Sequence, residues 1–281
     1  MRWSAITDIV CEVCMHRCRL SDGQTGRCRA RKNVGGAIVP VNYGHVTSIA
    51  LDPIEKKPLS RFFPGSMILS VGSFGCNMDC LFCQNDSISM ADERNAVTKY
   101  ISPGELAALA MKMVSKGNIG LAYTYNEPLV GYEYVRDTAI EIHKAGMKNV
   151  VVTNGAFAQN TLSEVLPYID AWNIDLKGFS GEWYKRLGGD LEMVKYFIKA
   201  AVECSHVELT TLIVPDENDS PEEMSELSSW VSSVDKRIPL HITRFFPRRD
   251  MLDRLPTDID VLKMLAETAK ENLDTVIIGN I

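Results

Sequence analysis

The 281-residue sequence lacks any apolar run close to the roughly 18 residues that a membrane-spanning helix needs, so no membrane association is expected. It also lacks an excess of basic charge. Its 30 Lys and Arg stand against 36 Asp and Glu, a formal net charge of -6, and the electrostatic footprint of a nucleic-acid binder is missing. The opening residues, Met1-Arg2-Trp3-Ser4, lead to Cys11 and Cys14 without an apolar h-region, so no signal peptide is expected. Without an export signal, the eight cysteines read as metal or redox ligands rather than a disulfide framework. A reducing cytoplasm is the setting that fits. No internal repeat or low-complexity run is evident. What remains is ordinary globular composition, 46% hydrophobic and 23% charged, long enough for one large α/β domain or two small ones.

Two regions differ in pattern. Residues 1–66 are rich in cysteine at first, then carry short strand-like pieces at 37–41 and 46–51 and the Pro-rich stretch Asp52-Pro53-Ile54-Glu55-Lys56-Lys57-Pro58. Residues 67–281 alternate short apolar strands with longer helical segments. Strands are expected at 67–71, 119–123, 150–153, 172–176, 207–214, 240–243 and 275–278. Helices are expected at 105–114, 132–144, 162–166, 191–204, from Ser220-Pro221 onward, and at 260–270. Such βα repeats require a parallel sheet covered by helices. Polar residues recur just past the strand ends, as on the chemistry-bearing face of a barrel. The expected fold is therefore α/β, a partial (β/α)6 TIM-like barrel over 67–281 with a small Cys-rich N-terminal extension over 1–66.

The strongest chemical signal is Cys76-Asn77-Met78-Asp79-Cys80-Leu81-Phe82-Cys83. Thiolates at C-x3-C-x2-C spacing can hold three irons of a cubane [4Fe–4S] cluster. No fourth cysteine is near, so one iron is left open to a ligand. A zinc site is the alternative, but zinc usually takes C-x2-C pairs and needs a fourth ligand. A second group, Cys11, Cys14, Cys18 and Cys28, lies in a segment too polar to form its own core. A metal that staples the segment would explain it, and zinc, a second iron–sulfur cluster and free thiols all stay open. Cys204 stands alone after a helix and reads as a core thiol.

Further candidates follow the strands. In Tyr123-Thr124-Tyr125-Asn126-Glu127-Pro128, Thr124 and Asn126 carry side-chain oxygens suited to an ammonium group, and Glu127 can bind a ligand or orient the turn. Asp175 and Lys177 share one face of a strand by period-two spacing, a charge pair that an interior would hold for a reason. His241 is expected to end the strand before Arg244-Phe245-Phe246-Pro247, with Arg244 able to pair with a carboxylate or to bridge loops.

The cysteine loop, with an aromatic residue just before its last cysteine, resembles the radical S-adenosylmethionine (SAM) superfamily. The resemblance implies that the open iron chelates SAM and that one electron splits it into methionine and a 5′-deoxyadenosyl radical. It implies SAM contacts from Phe82, at the adenine, and from Asp175, Lys177 and His241. Many members carry a Gly-Gly-Glu-type turn for the SAM amino group, and here Thr124-Tyr125-Asn126-Glu127 stands in its place. Nearly the whole chain, including Cys11–Cys18, Leu51–Leu59, Val152-Thr153-Asn154-Gly155, Asp175-Leu176-Lys177 and His241–Pro247, looks like the AmmeMemoRadiSam-system radical SAM enzymes, relatives of the pyruvate formate-lyase activating enzymes. Members of that family are expected to continue past the final Gly-Asn into a cysteine-containing tail, and no tail metal site is expected after Gly279-Asn280-Ile281. The implied cofactors are a [4Fe–4S] cluster and SAM, with zinc or a second cluster at the N-terminus. The implied partners are a one-electron donor such as flavodoxin or ferredoxin and AMMECR1-like and Memo-like proteins. Two alternatives stand beside an oxidoreductase acting on a small molecule or peptide. One is an activase of glycyl-radical enzymes, and the other is a metal-stapled binding or electron-transfer protein.

Overall fold

The computed structural model describes residues 8–281, so the opening stretch that bears on a signal peptide lies outside the described residues. One eight-stranded sheet organises the chain. Its strands are β1 (Ser48–Pro53), β2 (Met67–Gly72), β3 (Asn118–Tyr123), β4 (Lys148–Thr153), β5 (Ala171–Asp175), β6 (His206–Ile213), β7 (Leu240–Arg244) and β8 (Val276–Gly279). They lie side by side in strictly sequential order. β1 pairs with β2 antiparallel, and every later neighbour is parallel. Sequential order means that each crossover moves the chain the same way around. That winds a barrel rather than a doubly wound sheet. β8 and β1 do not pair with each other, so the barrel is partial and open along that seam.

Six helices cover the outside: α1 (Pro103–Lys112), α2 (Tyr132–Lys144), α3 (Gln159–Val165), α4 (Leu191–Val202), α5 (Pro221–Asp235) and α6 (Ile259–Lys270). Their starts are written locally. Ser102 and Glu105 close a capping box on α1, with the Ser102 amide donating to Glu105 Oε2 at 2.8 Å. Ser220 caps α5 ahead of a first-turn proline, and Asp190 caps α4. The strands expected between residues 67 and 278 all form, the last making a seventh parallel strand. Two short helices, Asp86–Ser89 and Gly181–Arg186, have too little periodicity to be legible.

Short strands are not enough to fill the barrel. The segment after β1 does so. Ile54, Leu59 and Phe62 pack against Ile68, Ala122, Val150 and Ala171, which face inward from β2 to β5. Polar anchors fix this plug. Buried Glu208 of β6 accepts from the amides of Ser60 and Arg61 at 2.9 and 2.7 Å, and Asn173 donates to Pro58 O at 2.9 Å. β1 and the plug therefore belong to the barrel sheet and its interior, although they precede residue 66.

Residues 8–46 form a loop-rich module with antiparallel pairings of Ile9–Val10 with Arg19–Leu20 and of Arg31–Val34 with Ala37–Pro40. It docks on the barrel through a buried Arg31–Glu133 ion pair at 2.6 Å and through Val13 O, which accepts from Ala158 N and from Thr161 Oγ1. Cys204 departs from its expected place in the core. It is exposed beyond the end of α4, where Sγ reaches only the Ala200 carbonyl, because the helix has already ended at Val202.

Candidate active site

The cysteine loop leaves the end of β2, and its course is set by the N-terminal module. Gly75 has φ +90°, and a Cβ there would meet Cys28 O at 2.5 Å. The next amide, that of Cys76, donates to the same carbonyl at 3.2 Å. The Asp79 amide donates to Leu187 O at 2.9 Å, and Asn77 is held by Asn154 Nδ2 and by its own bond to Ala156 O. Cys76, Cys80 and Cys83 all face one cavity of about 370 Å3.

The donor set suits a cluster. Burial pushes the Cys76 thiol up strongly and the Cys80 thiol to about 11, so thiolates here need a metal's positive charge to exist. Hydrogen-bonding groups stand ready for such sulfurs. The Met78 amide is 3.4 Å from Cys76 Sγ, and Ser89 Oγ is 3.2 Å from Cys83 Sγ. Among the described residues no three His, Cys, Asp or Glu side chains are already drawn together as the ligands of a single metal ion are.

Most of the expected site residues line the same cavity: Phe82, Thr124, Asn126, Glu127, Asp175 and Lys177. Phe82 is buried and stacks with Trp183, ring centroids 6.0 Å apart. Glu127 is buried. Its Oε1 accepts from Leu129 N at 3.1 Å and from Thr153 Oγ1 at 2.8 Å, and its Oε2 accepts from Asn154 N at 2.8 Å. Burial nonetheless raises its carboxyl to about 7. Lys177 Nζ meets Asp175 Oδ2 at 2.7 Å. Burial opposes the lysine's charge, but Asp175 and Cys80 outweigh it and hold the lysine charged. Asn126 also has a structural task. Its Oδ1 accepts from Ser73 N at 2.9 Å and its amide donates to Gly75 O at 3.0 Å, so its side chain buttresses the cysteine loop.

His241 is not at a strand end. It is the second residue of β7, one inward-facing position below Thr243, which does line the cavity. Its Nε2 lies 2.7 Å from Glu208 Oε2, so it anchors the plug's carboxylate. Arg244 donates through Nε to Thr257 O at 2.8 Å, bridging the loop after β7.

Sequence reasoning missed several contributors. Lys56 and Pro58 bring the Pro-rich segment to the cavity wall, and Asn280 does so from beyond β8. Tyr125, in the left-handed region at φ +72°, donates from its hydroxyl to Asp52 Oδ2 at 2.8 Å, while Lys57 pairs with the same carboxylate at 2.9 Å. Glu208 had one legible signal: His206, Glu208, Thr210 and Leu212 alternate on a strand, which sends a carboxylate inward.

Comparison with known proteins agrees with this architecture. The model of the Radical SAM superfamily matches residues 70–228. An uncharacterized protein of Methanocaldococcus jannaschii is 38% identical over 275 residues, covering 96% of this chain and 81% of its own length. Among solved structures, Streptococcus suis SuiB bound to S-adenosylmethionine aligns with a TM-score of 0.58 at 15% identity, covering 73% of this chain and 48% of SuiB. A TYW1 with a lysine-pyruvate adduct bound aligns with a TM-score of 0.51 at 18% identity, covering 73% and 74% of the two chains. These likenesses are of fold.

Proposed function

This chain belongs to the radical SAM superfamily, and from that premise we propose that it is an oxidoreductase of the AmmeMemoRadiSam type, acting on a C–H bond of a small molecule or peptide. The carrying observation is that three cysteines and six polar or aromatic candidates from three strand ends line one cavity. Cys76, Cys80 and Cys83 would hold the cluster, which when bound would supply one electron for the reductive cleavage of SAM and so the means of taking a hydrogen atom from substrate. The protein's part is to bind, orient and exclude water. Thr124 offers a hydroxyl to which no described residue donates or accepts, and Glu127 offers a carboxylate to an ammonium. The Asp175–Lys177 pair presents both signs of charge to a zwitterionic ligand, and Phe82 offers a backbone and ring to a purine.

An external one-electron donor, flavodoxin or ferredoxin, completes the system, with AMMECR1-like and Memo-like proteins as further partners in a reducing cytoplasm. Cys11, Cys14, Cys18 and Cys28 form the candidate second metal site. Cys11, Cys14 and Cys28 are buried, and burial pushes the Cys14 thiol up to about 12 and raises that of Cys28, so thiolates at those two positions would need a metal's charge. Residues 67–281 form the catalytic barrel in this reading and residues 1–66 the extension, which also lends the barrel its antiparallel first strand and its interior plug. The test is anaerobic reconstitution, reduction with dithionite and chromatography for 5′-deoxyadenosine. The parent protein should form it, and the Cys76→Ala/Cys80→Ala/Cys83→Ala protein should not. Cleavage retained in the triple variant would end this reading.

A further inference from the structure

Arginines gather around the cysteine loop, in a chain whose net charge is -6. Three arginines from two distant segments meet there. Arg249 donates to Cys80 O at 2.9 Å and to Asp79 Oδ1 at 2.6 Å. Arg27 lies against Gly188, where a Cβ would meet its Nη2 at 3.1 Å, beside the Leu187 carbonyl that holds the Asp79 amide. Arg29 flanks Cys28, the residue whose carbonyl holds Cys76, and its charge, like that of Arg27, acts on Asp79. Neither Arg27 nor Arg29 has a carboxylate within ion-pair distance among the described residues, and Arg27 is exposed. Arg248 adds an exposed cation beside Arg249, while Asp250, Asp253 and Asp258 are the acidic residues on the same loop.

That loop, residues 245–258, is long for a βα connection and has no secondary structure of its own. It packs across the cysteine loop, with the Asp250 amide donating to Leu81 O at 2.9 Å. Just beyond this contact it holds Leu252 outward, 71% exposed. A large apolar side chain standing out on the same loop as the exposed Arg248 is the make-up of a protein-docking patch, apolar within and charged at its rim.

We propose that this surface, centred on Arg27, Arg29 and Leu252, docks an acidic one-electron carrier protein. The inference rests on the cluster chemistry above and adds where the electron enters. The carrier loses one electron and the cluster held by Cys76, Cys80 and Cys83 gains it, with no bond made or broken and no proton transferred. Docking here places the carrier over the backbone of two cluster ligands. Complementary charge speeds encounter and holds orientation.

The test uses reconstituted protein and flavodoxin as the probe. Binding is measured by titration at low and at physiological ionic strength, and cluster reduction by reduced flavodoxin is compared with reduction by dithionite. The Arg27→Glu/Arg29→Glu protein should bind flavodoxin about tenfold or more weakly at low salt, with a flattened salt dependence, and should still be reduced by dithionite. Leu252→Ser, at a side chain that is 71% exposed, should weaken binding by about fivefold with the salt dependence retained. It also covers the case in which the double variant fails to fold. Flavodoxin binding unchanged in these variants overturns the surface. A parent protein with no dithionite-reducible cluster removes instead the functional reading on which it rests.

Discussion

At the scale of single residues, the site depends on pairing. Burial opposes the charge of the half-buried Lys177, and Asp175 is the main group that holds it. Asp175→Ala removes the proposed SAM contact and leaves the lysine short of its counter-charge, so SAM binding should weaken by roughly 5- to 150-fold, corresponding to a lost buried polar contact of about 1–3 kcal/mol. Calorimetric titration with SAM measures this, and the visible spectrum of the cluster should stay as in the parent. Parent-like SAM affinity would make the pair a structural feature of β5. Removing His241 should act differently from removing Asp175, since its partner is the plug's carboxylate rather than the cavity.

At the scale of elements, the plug is the part whose loss the barrel should feel most. Leu59 is fully buried at its centre, and Leu59→Ala should destabilise the protein by about 2–5 kcal/mol, the usual range for a core truncation. Urea unfolding would show it as a lowered midpoint. The neighbouring Asp52 gives the same element a pH signature. Burial alone would raise its carboxyl, but Lys57 and the Tyr125 hydroxyl lower it to about 2. A carboxyl depressed in the folded state stabilises above its unfolded value and stops doing so once both states are protonated. Stability on the order of 2 kcal/mol should therefore be present above about pH 4 and be lost as pH falls toward about 2. Asp52→Asn should flatten that part of the stability–pH curve measured on metal-free protein, and an unchanged curve would mean that the Asp52–Lys57–Tyr125 group contributes nothing net.

At the scale of the whole molecule, the N-terminal module and the barrel are coupled at one carbonyl, that of Cys28, which holds the Cys76 amide and crowds Gly75. A metal on Cys11, Cys14, Cys18 and Cys28 would therefore stiffen the cluster loop from outside the barrel. Elemental analysis of the Cys76→Ala/Cys80→Ala/Cys83→Ala protein should still find bound iron or zinc. A well-folded, metal-free triple variant would remove the second site. Thermal unfolding of Cys11→Ala should show a larger loss than that of Cys204→Ala, because Cys11 is buried in the module and Cys204 is exposed.

The sequence by itself determined the parts whose cause is local. Apolar strands alternating with capped helices dictate a βα wind, because each periodicity buries one face, and the positions of β2 to β8 follow. The C-x3-C-x2-C spacing determines a three-thiolate loop, because ligand geometry is set by chain length over a few residues. Period-two spacing likewise puts Asp175 and Lys177 together. Tertiary structure alone decided what depends on contacts far apart in sequence. It turned the Pro-rich segment inward as a plug, since strands this short leave an interior that must be filled. It set His241 against Glu208 rather than the cavity, and spent the Asn126 side chain on the cysteine loop. It also brought Arg27 and Arg29 beside Arg249, across more than two hundred residues of chain, because only the docking of the N-terminal module on the barrel puts the Cys28 carbonyl within reach of Cys76.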